Sequence, residues 1–126
     1  NYGDMQRDFT FIDDVVEALL RCCFKPAFPD PDFKLNNPEP YNSWAPYRVF
    51  NIGNNMPINL MRFIEILEKE LGKKAIKEYK AMQPGDVIKT NSDNSKLYDW
   101  INYKPNTLLE EGVSKFASWY KNYYTS

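Results

Sequence analysis

The run Met5-Gln6-Arg7-Asp8-Phe9-Thr10-Phe11-Ile12-Asp13-Asp14-Val15-Val16 sets one arginine just ahead of a β-rich stretch that breaks at once into a helical pattern, the mark of an α/β unit. Phe9 to Ile12 predicts a short strand. Val15/Val16, Leu19 and Cys22/Cys23 then recur at helical spacing, so a helix over 13–23 follows, with Asp13 or Asp14 placed to accept the free N–H groups of its first turn. An arginine held in front of such a strand and helix presents a planar fork of donors that matches a pair of phosphate oxygens. A helix end already facing a carboxylate is a poor anion site, so a phosphate here depends on Arg7 more than on the helix dipole. Taken alone, an arginine beside an aspartate is a solvated pair worth under about 1 kcal/mol. Its weight comes from the rest of the chain.

A chain of 126 residues, 43% hydrophobic and 16% aromatic, can bury one modest core and is too short for two ordinary domains. Sixteen basic residues against seventeen acidic ones leave a net charge of −1 with no basic block, which argues against nucleic acid or an anionic membrane as partner. No apolar run approaches a membrane span and no signal peptide opens the chain. Cys22 and Cys23 are adjacent and the chain has no histidine, so neither a zinc site of the usual spacings nor an unstrained bridge is expected. Two small buried or half-buried thiols in a reducing, cytoplasmic setting fit this pattern. Asn1-Tyr2-Gly3-Asp4 has the composition of a hairpin turn with nothing ahead of it for the next strand to pair with, which suggests a segment cut from a larger protein.

Six of the nine prolines fall between Pro26 and Pro46, a stretch with no sustained hydrophobic period. It reads as a long loop without a helix, a mobile surface excursion in preference to a substrate lid. Tyr47 to Ile52 then reads as a strand ending at Gly53-Asn54-Asn55. Asn59 caps a helix over 59–71 with Leu60, Phe63/Ile64, Leu67 and Leu71 on its inner face and Gly72 as its left-handed stop. A strand near Ala75 to Tyr79 leads to Gln83-Pro84-Gly85-Asp86, whose Pro-Gly pair suits a type II turn with the side chains of Gln83 and Asp86 converging at its two ends. Asp93 caps a short helix through Leu97 and Trp100/Ile101, stopped by Asn102. Thr107 and Glu110 form a capping box for a last helix over 107–124, whose closing aromatics suit core or interdomain contact.

Four motifs in this order carry a resemblance to a known family: Arg7-Asp8-Phe9-Thr10-Phe11-Ile12-Asp13-Asp14-Val15-Val16, Val49-Phe50-Asn51-Ile52-Gly53-Asn54, Gln83-Pro84-Gly85-Asp86-Val87, and Asn102-Tyr103-Lys104-Pro105 running into Glu111-Gly112-Val113. Together they resemble the C-terminal portion of extended short-chain dehydrogenase/reductase enzymes. The insert carrying Asn37-Pro38-Glu39-Pro40 and Ala45-Pro46-Tyr47-Arg48-Val49 is similar to the UDP-glucuronate 4-epimerase branch. The fold this implies is a small α/β substrate-binding domain over residues 1–126, with short strands and about four helices, cut from a Rossmann-type parent. The NAD-binding Rossmann domain lies outside the chain.

The resemblance further implies an NAD-dependent nucleotide-sugar epimerase that interconverts UDP-glucuronate and UDP-galacturonate at C4 through a 4-keto intermediate. NAD and the catalytic Tyr-x-x-x-Lys pair would belong to the other domain, leaving no catalytic, cofactor-binding or metal residue here, and the segment alone inactive. Its share is the nucleotide: Arg7 on the diphosphate, Asp86 accepting from the ribose hydroxyls, and Gln83 auxiliary, where several relatives carry a second phosphate-binding arginine. The resemblance also implies a homodimeric parent. A nucleotide-sugar dehydratase or decarboxylase shares these motifs, and a non-catalytic nucleotide- or protein-binding module is the reading from outside the enzymes.

Overall fold

The computed structural model describes residues 1–124, and its elements run β1 (Gln6–Asp8), α1 (Ile12–Phe24), β2 (Pro57–Asn59), α2 (Leu60–Leu71), α3 (Ser95–Ile101) and α4 (Leu109–Tyr124). The chain enters through a turn in which Tyr2 and Gly3 both take positive φ, 52° and 85°, and the Asp4 N–H donates to the Asn1 carbonyl at 2.8 Å. That reverses the chain into β1, which pairs antiparallel with β2 so that Arg7 lies opposite Ile58. On its other edge β1 meets the 88–90 segment: the Gln6 N–H donates to the Ile88 carbonyl at 2.9 Å and the Thr90 N–H to the Gln6 carbonyl at 3.2 Å.

The strand expected at Phe9–Ile12 does not form there; the strand lies three residues earlier, at Gln6–Asp8, where β2 pairs with it. A strand persists only where another chain segment completes its ladder. Past Asp8 the apolar residues turn to helix packing instead: Phe9 stacks on Phe63 with ring centroids 4.4 Å apart and planes 11° from parallel, and Phe11 rests against Gly112. The strands expected at 47–52 and 75–79 form no ladder among the described residues. Their β-propensity is unmet beyond a single antiparallel bridge between Asn42 and Arg48.

Helices follow their local signals more closely. Asn59 accepts the Met61 N–H at 2.8 Å and Gly72 ends α2 at φ 67°, both as the sequence predicts. Asn102 stops α3 at φ 49°, while Asp93 accepts the Ser95 N–H at 2.9 Å from one residue before the Asn94 cap position. At α1 the expectation fails. Phe11 is the cap residue and makes no side-chain cap bond, while Asp13 and Asp14 already have helical backbone and cannot serve. Asp14 is buried and reaches away from its own helix, accepting the Tyr103 hydroxyl and the Thr107 N–H, both at 3.0 Å. Thr107 is thereby lost to the capping box, its N–H taken by Asp14 while Glu110 pairs with Arg62 at 3.0 Å.

This contact ties α1 to the entry of α4 and gives a pH test. Burial, followed by the hydrogen bond to Asp14, pushes the Tyr103 phenol up to about 12 from an ordinary 10.0. The folded state holds the neutral phenol, so the stability it contributes is complete below pH 10 and is lost as pH rises toward 12. Urea unfolding should show the wild-type chain losing stability more steeply across that window than Tyr103→Phe, and equal slopes would mean the phenol is not held by Asp14.

The core is thin: Ala18, Ile66, Leu97, Val113 and Ala117 are buried, with α2 packed on α4 and α1 beside α3. Phe116, Trp119, Tyr120, Tyr123 and Tyr124 are exposed and stack on one another along α4, so they are no part of this core. Cys22 is half-buried and Cys23, against expectation, is exposed; neither is in a disulfide. Between Pro26 and Pro46 there is no helix, as expected, and the base of the loop is fastened. The Asp30 N–H donates to the Ser43 carbonyl at 3.0 Å, and the Arg48 guanidinium lies over the rings of Phe28 and Trp100 at 5.6 and 5.4 Å. Among the described residues no helix is long and apolar enough to cross a membrane, and no cluster of acidic or thiol side chains could hold a metal ion.

Candidate functional site

Arg7 sits at the centre of β1, where strand alternation sends its side chain to the opposite face from Asp8. One terminal nitrogen, Nη1, donates to the Gln6 carbonyl at 2.9 Å and to the Ile88 carbonyl at 3.4 Å; the other, Nη2, donates to Asp86 Oδ1 at 2.8 Å. The two carbonyls fix the plane of the guanidinium. Among the described residues its Nε–H and the second Nη2–H make no hydrogen bond, and the side chain is 22% exposed.

Asp86 arrives from a distant part of the chain by way of the expected turn. Gly85 takes φ 86°, which a side chain would oppose, and the Asp86 N–H closes the turn on the Gln83 carbonyl at 3.2 Å. Asp86 Oδ1 also accepts the Val87 N–H at 2.7 Å, so the carboxylate is held on its own turn while it reaches Arg7. The structure therefore joins two of the three residues singled out from sequence. Gln83 shares the turn and is exposed; among the described residues its side chain makes no hydrogen bond to Asp86, and its carbonyl closes the turn.

Beneath this pair lies a residue that sequence reasoning took only as a neighbour of Arg7. The Asp8 carboxylate accepts three backbone N–H groups, from Asn55 at 3.0 Å, Ser92 at 2.9 Å and Met56 at 3.3 Å, while the Asp8 N–H donates to Thr90 Oγ1 at 3.0 Å. It thereby fastens the 53–56 and 90–92 loops to the strand that carries Arg7. Asn94 reinforces the junction by exchanging hydrogen bonds with both backbone groups of Gly53 and accepting the Ser92 hydroxyl at 2.7 Å. A β-carbon on Gly53 would lie 2.3 Å from that of Ser92, so only glycine fits. Strand alternation, with donor-rich Gly53-Asn54-Asn55 downstream, was the signal that could have found Asp8.

The strand-mounted arginine faces the aspartate of a Pro-Gly turn, so a guanidinium and a carboxylate stand side by side in a small α/β unit. No protein-family model matches the chain. Curated proteins do: it is 48% identical to Protein CapI of Staphylococcus aureus, over 98% of this chain and 37% of that protein. It is 38% identical to a probable UDP-glucuronate 4-epimerase of Rhizobium meliloti, over 97% of this chain and 36% of that protein. Among solved structures, UDP-glucuronic acid 4-epimerase from Bacillus cereus in complex with UDP-glucuronic acid and NAD matches with a TM-score of 0.69 and 28% identity, over 97% of this chain and 34% of that one. The chain thus spans about a third of the length of these relatives. Over that span its relatives and structural neighbours include UDP-glucuronate 4-epimerases, to which it is similar in sequence and in fold.

Proposed function

We propose that these 126 residues are the substrate-binding domain of an NAD-dependent UDP-glucuronate 4-epimerase, whose NAD-binding Rossmann domain lies in polypeptide outside this sequence and which works as a homodimer. The observation that supports the reading is the Arg7–Asp86 pair, a guanidinium and a carboxylate side by side from segments 79 residues apart. In this reading the free N–H groups of Arg7 take the diphosphate, the second carboxylate oxygen of Asp86 accepts from the ribose, and Gln83 adds an uncharged hydrogen bond. A UDP end fixed in this way leaves the sugar free to present either face, as a 4-epimerase requires.

The residues present do not fit NAD. The five glycines, at 3, 53, 72, 85 and 112, are too scattered for a dinucleotide-binding fingerprint, and no tyrosine is followed four residues on by lysine. The cofactor's place is therefore assigned to the other domain, and the isolated chain should give no saturable heat when titrated with NAD; a clear isotherm would move the cofactor into these residues. The activity is tested on the full-length polypeptide supplied with UDP-glucuronate and NAD. Proton NMR should show UDP-galacturonate accumulating to equilibrium. Carbon dioxide release, or a 4-keto product that persists, would shift the assignment to a decarboxylase or dehydratase.

A further inference from the structure

The turn that delivers Asp86 to Arg7 lies between the 88–90 segment, which is bonded to β1, and an extended strap, residues 73–82, that belongs to no sheet and is exposed at nearly every position. Its firmest attachment lies at the start. Glu68, in the last turn of α2, has a side chain only 6% exposed, and its two oxygens accept the Ala75 N–H at 2.9 Å, the Lys74 ammonium at 3.0 Å and the Lys77 ammonium. Its own carbonyl accepts the Lys73 N–H at 3.2 Å, immediately past the Gly72 stop. A carboxylate at this point opposes the helix dipole, which disfavours negative charge at a C-terminus. A buried acid in that position needs its three donors, and all three come from the strap. The Lys77 ammonium, the Ala75 N–H and the Lys74 ammonium, in that order, hold the Glu68 carboxyl down to about 2, so the clamp is fully charged at neutral pH.

Beyond Lys77 the strap is caught again at Lys80, whose carbonyl accepts the Tyr2 N–H at 2.8 Å, before the turn closes and Asp86 meets Arg7. We propose that Glu68 is a positioning residue for the nucleotide site: by fixing where the strap leaves α2, it sets the reach of the Gln83–Asp86 turn and so holds Asp86 against Arg7. This rests on the reading of Arg7 and Asp86 as the residues that hold UDP.

The test uses the full-length polypeptide and UDP as probe. Glu68→Gln keeps the size and an acceptor for Ala75 but removes the charge that holds the two lysines. Its UDP dissociation constant and the KM for UDP-glucuronate should rise three- to tenfold with kcat within twofold, and amide exchange should quicken at Asp86 as well as at Ala75. A brace that matters only to local stability would quicken exchange at Ala75 and leave UDP affinity within twofold, and that result overturns the proposal. Should Glu68→Gln fail to fold, Lys77→Met removes one arm of the clamp and decides the matter by the same affinity readout. The site reading fails separately: if Arg7→Ala leaves UDP affinity unchanged, the pair does not hold the nucleotide, whatever Glu68 does.

Discussion

Replacing Arg7 by alanine in the full-length polypeptide should raise the UDP dissociation constant ten- to hundredfold, with a smaller change for uridine. A charge-assisted hydrogen bond to phosphate is worth about 1.5–3 kcal/mol, and each 1.4 kcal/mol is roughly a factor of ten. Uridine lacks the diphosphate and so loses only what Arg7 does indirectly, through its 2.8 Å contact with Asp86. Asp86→Asn should weaken UDP and uridine alike, since both carry the ribose. The arrangement of Arg7 favours the larger part of the range: two main-chain carbonyls already fix the guanidinium plane, so little freedom remains to be lost when phosphate arrives. Calorimetric titration of both ligands into wild type and Arg7→Ala decides it. Equal affinities in a folded variant would reduce Arg7 to an ion-pair partner of Asp86 and remove the site.

What the sequence showed and what it hid divide along the range of the forces involved. Asn59 and Gly72 around α2, Asn102 after α3 and Pro84-Gly85 in the turn all act on backbone within a few residues, and each was legible because its signal and its effect are neighbours. Arg7 and Asp86 were legible singly, from residue type and family motif, while their contact was not, because 79 residues separate them. The misplaced strands share one cause: β structure is a property of pairs, and Tyr47 to Ile52 or Ala75 to Tyr79 cannot state whether a partner is present. Asp14 misled in the opposite way. Its position beside a helix start mimics a cap, but the carboxylate is committed to Tyr103 and Thr107, about 90 residues further on. Glu68 gave no signal in the sequence, where an acid among lysines reads as solvated surface.

The largest loss of stability is expected from Asp8→Ala. Its carboxylate accepts N–H groups from Asn55, Met56 and Ser92, and alanine would leave all three without that acceptor, the Ser92 one part-buried and the other two reachable by water. Hydrogen bonds to a charged group contribute about 1.5–3 kcal/mol each, but three bonds to one carboxylate are not independent, and the 3.3 Å contact to Met56 is the weakest. A total of about 2–3 kcal/mol follows, most of it from the part-buried Ser92 bond, a large share of the stability of a domain with so thin a core. Asp8→Asn should recover only part of it: the amide keeps one oxygen, but its NH2 group must then face an N–H donor, Ser92 and Asn55 if it takes the Oδ2 position or Met56 if it takes Oδ1. Urea unfolding of the three proteins at neutral pH should rank them wild type, Asp8→Asn, Asp8→Ala. A loss under about 1 kcal/mol for the alanine variant would show that water satisfies these N–H groups as well as the carboxylate does. Because the same three bonds carry the 53–56 and 90–92 loops onto β1, whatever survives folding without Asp8 should also bind UDP more weakly, its arginine mounted on a strand no longer braced from below.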